Sequence, residues 1–261
     1  MEQEQRRIFL IRYLLAESNL QAAIPPDEAS RKRLLRALFN VRMPRKADDA
    51  FLQVQDAYLQ EELRERGITD AAALKPVAPD LFLWKGDITT LRCDGIVNAA
   101  NARLLGCFCP NHGCIDNAIH TFSGVQLRLA CAEIMEAQGG EEPTGSAKIT
   151  KAYNLPCKYV LHTVGPIVTG SLTGTDRKQL ANCYRSCLTL ADRNGLQSLA
   201  FCCISTGEFH FPNEKAAEIA VQTVKEYKAQ TKSRIRIIFN VFKEIDYAIY
   251  AKMLGADPSA E

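Results

Sequence analysis

Leu199-Ala200-Phe201-Cys202-Cys203-Ile204 carries no charged or strongly polar side chain, and Ser205-Thr206-Gly207-Glu208-Phe209-His210-Phe211-Pro212 follows at once. An apolar run that short, closed by small and turn-forming residues, predicts a strand covered on both faces, because a strand with one face in water alternates polar with apolar positions. Working outward, similar runs at Leu81–Trp84, Gly95–Ala99, Lys148–Tyr153, Tyr159–Val164 and Ile235–Phe242 join Ser198–Ile204 as strands. Helical spacing covers Asp116–Ala137, Asp176–Arg193, Asn213–Lys228 and Ile245–Leu254. Strands separated by helices require crossover connections, so the fold class is α/β, with a mostly parallel mixed central sheet sandwiched between helices in three layers. Ligands on such sheets bind beyond the carboxyl ends of the strands, which directs attention to the loops there.

Residues 1–75 read differently, as a helical extension without Cys or His, and residues 76–261 as the main domain. Ile8, Ile11 and Leu15 lie at helical spacing. Pro26-Asp27-Glu28 suits the first turn of a second helix running through Leu34, Leu35 and Leu38. A third spans Asp48 to Arg66, with Phe51, Val54 and Tyr58 on one face and Gly67 as its stop. The apolar stripes predict packing against the main domain, and the segment carries no recognisable chemistry.

Composition removes several classes of function. Net charge is +2, from 32 basic and 30 acidic residues, and no polybasic stripe with interleaved aromatics is present, so no nucleic-acid polymer is expected as a ligand. Ile8 to Leu15 is interrupted by Arg12 and lacks a cleavage pattern, and nothing reaches the length of a membrane span, so the chain reads as cytoplasmic, with no membrane partner. Ten cysteines in a reducing compartment are mostly small buried hydrophobes, as at Cys183, Cys187, Cys202 and Cys203. Cys107, Cys109 and Cys114 stand apart, gathered on one short segment with His112 among them.

Three segments lie at strand-to-loop junctions: Lys85-Gly86-Asp87-Ile88, then Asn98-Ala99-Ala100-Asn101 leading into Leu104-Leu105-Gly106, and Ser205-Thr206-Gly207-Glu208-Phe209. Between the second and third runs Gly106-Cys107-Phe108-Cys109-Pro110-Asn111-His112-Gly113-Cys114-Ile115-Asp116-Asn117-Ala118-Ile119-His120. Two thiolates and an imidazole on one loop suit zinc, with Pro110 stiffening the turn and Gly113 easing a close approach. Three protein ligands leave a coordination position for water or substrate, and four make a closed, structural site. Four potential ligands are present, and the sequence leaves open which of them point inward. Asp116 is expected to cap the following helix, whose first-turn amides suit an anion. His120 and His162 are read as partly buried histidines, and none of His120, His162 and His210 is assigned a catalytic role.

In order and spacing these segments resemble the macrodomain family over roughly residues 80–255, and the cysteine-rich loop resembles its zinc-containing branch, often encoded beside sirtuin-like ADP-ribosyltransferases. The resemblance implies a three-layer macrodomain that binds ADP-ribose. It implies Zn2+ held by Cys107, His112 and Cys114, with Cys109 at a variable position. Substrate-binding positions carried over are Asp87 and Ile88 for adenine, Ile115, Asp116 and Asn117 at the helix start, and Ser205, Thr206, Gly207, Glu208 and Phe209 around the diphosphate and a ribose face. Asn101 and Asp116 are the implied catalytic pair, aligning the distal ribose. The implied activity is hydrolysis of mono-ADP-ribose from a modified protein, as an ester to an acidic side chain. A non-catalytic ADP-ribose reader and an esterase acting on O-acetyl-ADP-ribose are the alternatives.

Overall fold

The computed structural model describes residues 1–256. The chain opens with α1 (Gln3–Glu17), α2 (Glu28–Val41) and α3 (Asp49–Arg66), followed by the short strands β1 (Thr69–Asp70) and β2 (Pro76–Ala78). Then come β3 (Leu81–Lys85), β4 (Leu91–Arg92), β5 (Gly95–Ala100), α4 (Ile115–Ser123), α5 (Val125–Gln138), β6 (Ala147–Lys151) and β7 (Tyr159–Val164). The remainder is α6 (Gly174–Arg193), β8 (Ser198–Phe201), α7 (Asn213–Thr231), β9 (Arg236–Val241) and α8 (Glu244–Leu254).

The main sheet has seven strands in the order β2-β3-β9-β8-β5-β7-β6. Its five inner strands pair in parallel, and β2 and β6 run antiparallel at the two edges. Helices flank this mixed sheet, giving the expected three-layer α/β architecture: α6, α7 and α8 pack together, and α4 and α5 form a second group on which α2 rests. Ile96, Val97, Leu161, Leu199, Ala200, Ile237 and Ile238 have no measurable exposure, as strands covered on both faces require.

The extension builds its own apolar core from Leu10, Ile11, Leu14, Leu35, Phe39 and Phe51, and that core reaches into the main domain at Val125 of α5. β1 pairs in parallel with β4, so the segment after α3 is tied to the domain as well.

Three expectations are corrected. The helix expected over Asp116–Ala137 is two helices, broken at Gly124. There φ is +98°, far from helical values, so the helix breaks, and an added Cβ would lie 2.8 Å from Gln55 Nε2, which suits the position to glycine. The strand expected over Ser198–Ile204 ends at Phe201, because Cys202 to Ile204 have left the ladder and turn into the following loop. The strand expected over Lys148–Tyr153 is Ala147–Lys151. It ends before a turn in which Tyr153 has φ +53°.

Candidate active site and metal-ligand cluster

The carboxyl ends of β3, β5 and β8 deliver the three junction segments to one end of the sheet, as parallel pairing through β9 dictates. After β5 the chain runs from Asn101 to Cys114 without regular structure. Of the eight non-glycine residues with positive φ among the described residues, four sit on this loop or the one after β8: Leu104, Asn111, Ser205 and His210. Leu104 is the costliest of these, because its branched side chain is fully buried at φ +57° and such a conformation stores about 1–3 kcal/mol. Backbone strain of this kind concentrates where a loop must hold a working geometry.

Cys107 Sγ, a ring nitrogen of His112 and Cys114 Sγ all lie within 4.8 Å of one another. Cys107 Sγ is 3.7 Å from His112 Nδ1. A tetrahedral zinc, with bonds of about 2.3 Å to sulfur and about 2.0 Å to nitrogen, sets sulfur and nitrogen about 3.5 Å apart. The donor set fits such an ion. Cys109 is exposed and stands outside the trio, offering only its carbonyl, to Asn117 Nδ2 at 3.0 Å. Burial holds the Cys114 thiol above its usual range, and the neighbouring Cys107 adds to the effect, so metal binding has to displace a tightly held proton. Glu208 Oε1 lies 3.6 Å from His112 Nε2, so the loop after β8 reaches the loop after β5.

Asp116 does not cap α4. Cys114 is the cap residue, its sulfur accepting from the Asn117 N–H at 3.4 Å, and Asp116 lies in the first turn. Its carboxylate is 5% exposed, accepting from Asn98 Nδ2 at 2.8 Å and from Asn101 Nδ2 at 3.4 Å. Burial pushes the Asp116 carboxyl up to about 6, against the lowering effect of the Asn98 hydrogen bond. The Asn101 amide also donates to the Gly106 carbonyl at 3.1 Å, so it bridges the Asp116 carboxylate and the loop. Asn117, expected to touch ligand, is fully buried and braces the loop: Oδ1 accepts from Arg36 and Nδ2 donates to Cys109. Gly113 has open space around it and no positive φ, so it is not the residue that permits close approach; Gly106 is, at φ +79° against the His120 ring.

Beyond the end of β3, Asp87 Oδ1 accepts from the Thr89 N–H at 2.9 Å and Oδ2 accepts from Arg66 Nη1 at 3.0 Å. The carboxylate remains 40% exposed, and Ile88 is buried. Ser205 and Thr206 turn inward, the Thr206 hydroxyl donating to the Cys203 carbonyl at 3.1 Å, and Gly207 and Glu208 are exposed. The Phe209 carbonyl accepts from the Val168 N–H at 2.9 Å, pinning this loop to the segment after β7. Ile115 opens α4, so its N–H and that of Asp116 have no intrahelical acceptor.

Sequence reasoning missed three participants. Phe242, 76% exposed, follows β9 directly, and the Gly86 N–H donates to the carbonyl of Val241 at 3.0 Å, so the end of β9 that carries Phe242 lies beside the Gly86 main chain. The run Ile235–Phe242 was legible as a strand, and its last aromatic was the available signal. Arg36 and Arg66 come from the extension, where no motif marked them. Among the described residues no helix is long and apolar enough to cross a membrane.

The Macro domain family model matches residues 97–220. A protein-ADP-ribose hydrolase of Treponema medium is 59% identical to this chain over 98% of its length and all of the relative's. One from Staphylococcus aureus (strain MSSA476) is 51% identical over 86% of this chain and 85% of its own. A Trypanosoma brucei macrodomain solved in complex with ADP-ribose superposes with a TM-score of 0.66 at 31% identity, covering 90% of this chain and 97% of that one.

Proposed function

The chain belongs to the macrodomain family, and on that premise we propose that it is a zinc-dependent hydrolase that removes mono-ADP-ribose from modified protein side chains, cleaving the ester to an acidic residue. One observation carries the reading. The loop that joins Asn101 to Asp116, the pair proposed to align the distal ribose, also gathers Cys107, His112 and Cys114 into a zinc-sized set of donors. The names of the relatives at 59% and 51% identity support the hydrolase class.

In this reading Asp87 accepts from the adenine amino group with the oxygen capacity that Arg66 and Thr89 leave unused, and Phe242 covers the ring. The main-chain amides of Ser205, Thr206 and Gly207 and the first-turn amides of Ile115 and Asp116 receive the diphosphate, as nests and helix N-termini receive anions. Phe209 and Asn101 flank the riboses. Asp116 fixes the Asn101 amide so that it meets the sugar in one orientation, and holding reactants in place supplies a large share of a hydrolase's rate. Zinc held by Cys107, His112 and Cys114 supplies Lewis acidity at the sugar end, softened because two thiolates offset its charge.

The test is release of ADP-ribose from a protein carrying the ester-linked modification, run beside serine- and arginine-linked substrates and with the metal content of each preparation measured. Cys107→Ala and His112→Ala are expected to abolish release while the circular dichroism spectrum and melting cooperativity persist. Full activity in a metal-free preparation would overturn zinc dependence. Turnover confined to serine- or arginine-linked substrate would overturn the ester assignment.

A further inference from the structure

The loop that carries the metal-type donors lacks regular structure and has few hydrogen bonds of its own. Besides the Cys107–His112 contact within the donor set, the Glu208 carboxylate beside His112 and Arg128 over the Phe108 ring, the side-chain hydrogen bonds that tie residues 108–113 to other parts of the described structure run to Arg36, Asn40 and Asn117. Arg36 Nη2 donates to the His112 carbonyl at 3.1 Å and to Asn117 Oδ1 at 3.0 Å, with Nε adding a contact to Asn117 at 3.3 Å. Asn40 Oδ1 accepts from the Asn111 N–H at 2.9 Å, and Asn40 Nδ2 donates to Thr121 Oγ1 on α4 at 2.9 Å. Asn117 holds the Cys109 carbonyl and the Cys114 sulfur, and its own Oδ1 is held by Arg36.

Helical spacing explains why one short helix can do this. Leu35, Leu38 and Phe39 lie on the face of α2 that packs into the extension's core, and that burial anchors the helix. Arg36 and Asn40, four residues apart, share the neighbouring face and reach out together. A planar guanidinium spans a carbonyl and an amide oxygen at once, which a lysine ammonium on a flexible stem does with less preorganisation.

We propose that Arg36 and Asn40 are positioning residues for the metal loop, so that the N-terminal helices are a working wall of the active site. The proposal rests on the reading that Cys107, His112 and Cys114 bind a divalent metal. Arg36 fixes the main chain at His112, which limits how far the imidazole can swing from the two sulfurs. Asn40 fixes the residue before it. Outer partners that orient metal ligands typically change affinity by about 10- to 100-fold when removed.

The test uses the full-length chain with Arg36→Ala, Arg36→Lys and Asn40→Ala, and with Arg33→Ala on an exposed position of the same helix as control. Zinc retention is measured by competition with a graded chelator, and ligand geometry by the visible absorption of the cobalt-substituted protein. Arg36→Ala is expected to hold zinc about 10- to 100-fold more weakly and to change the cobalt spectrum. Arg36→Lys should fall between it and the unaltered chain, and Arg33→Ala should match the unaltered chain. If Arg36→Ala does not fold, Arg36→Lys and Asn40→Ala carry the same comparison. Zinc affinity and cobalt spectra unchanged in the folded variants overturn the positioning role while leaving the metal site intact. Failure of the unaltered chain to take up any divalent metal overturns the metal reading itself, and this proposal with it.

Discussion

Glu208 Oε1 stands 3.6 Å from His112 Nε2, so the loops after β8 and β5 meet at a carboxylate and an imidazole. His112 turns its Nδ1 toward Cys107 and its Nε2 toward Glu208. A carboxylate behind a metal-type histidine orients the ring. Glu208→Ala is therefore expected to weaken zinc retention by about 10-fold and to slow turnover, with Glu208→Gln intermediate. Chelator competition and steady-state kinetics on the modified protein check this, and wild-type values in both would remove Glu208 from the site.

The two kinds of cysteine on the loop should behave oppositely. Cys109→Ser is expected to keep one zinc per chain and full turnover, because Cys109 is exposed and outside the converging trio. Cys107→Ser and Cys114→Ser should lose the metal. Elemental analysis of the purified variants decides between this arrangement and a four-ligand, closed site.

Arg66 stacks on Phe122, its guanidinium carbon 3.7 Å from the ring centre, and donates to both Asp87 and Thr89. Arg66→Ala leaves Asp87 held by Thr89 alone, loosening the carboxylate at the position proposed for adenine recognition. The lost charge-assisted hydrogen bond is partly exposed, so its worth is discounted to about 1.5 kcal/mol at most, which caps the expected weakening of ADP-ribose binding at about 10-fold. Calorimetry with ADP-ribose measures it, and binding of inorganic diphosphate should change far less.

Acid should destabilise the fold through the buried histidines. Burial holds His162 at about 4, below its ordinary 6.5, and Nδ1 faces the Asn98 amide, a donor that has no use for a second donor. Between those two values the unfolded chain binds the proton and the folded chain does not, so stability falls as the pH drops from 6.5 toward 4. At about 1.4 kcal/mol per unit the loss approaches about 3 kcal/mol. Burial also drives His120 well below its ordinary range, so His162→Gln should flatten the decline without removing it. Urea midpoints at half-unit steps from pH 7 to pH 4 measure both slopes; parallel slopes for the two proteins would contradict the assignment.

Gly106→Ala should cost stability at the loop itself. An added Cβ would lie 2.9 Å from two His120 ring carbons, at a φ of +79° that alanine adopts at a cost of about 1–3 kcal/mol. A lowered melting temperature with a weakened cleft, measured by calorimetric unfolding and ADP-ribose titration, is the expected pair of results.

Local pattern determined the architecture. Apolar runs such as Leu199–Ile204 marked strands covered on both faces, and helical spacing marked what lay between them. The short-range grouping of Cys107, His112 and Cys114 was likewise legible, because loop residues a few positions apart are held close by the chain itself. Where those runs stop pairing was not legible: Cys202 and Ile204 stay buried after the ladder has ended, and periodicity reports burial, not pairing. Tertiary structure alone decided the direction and partners of side chains. It sent Asp116 inward to Asn98 and Asn101, turned Asn117 into a brace, and excluded Cys109 from the trio. It also brought Arg36 to His112 across 76 residues of sequence and Arg66 to Asp87 across 21, contacts that no local pattern encodes. They exist because the apolar stripe of the extension packs in one orientation on α4 and α5, and the polar residues flanking that stripe are carried to the loop with it.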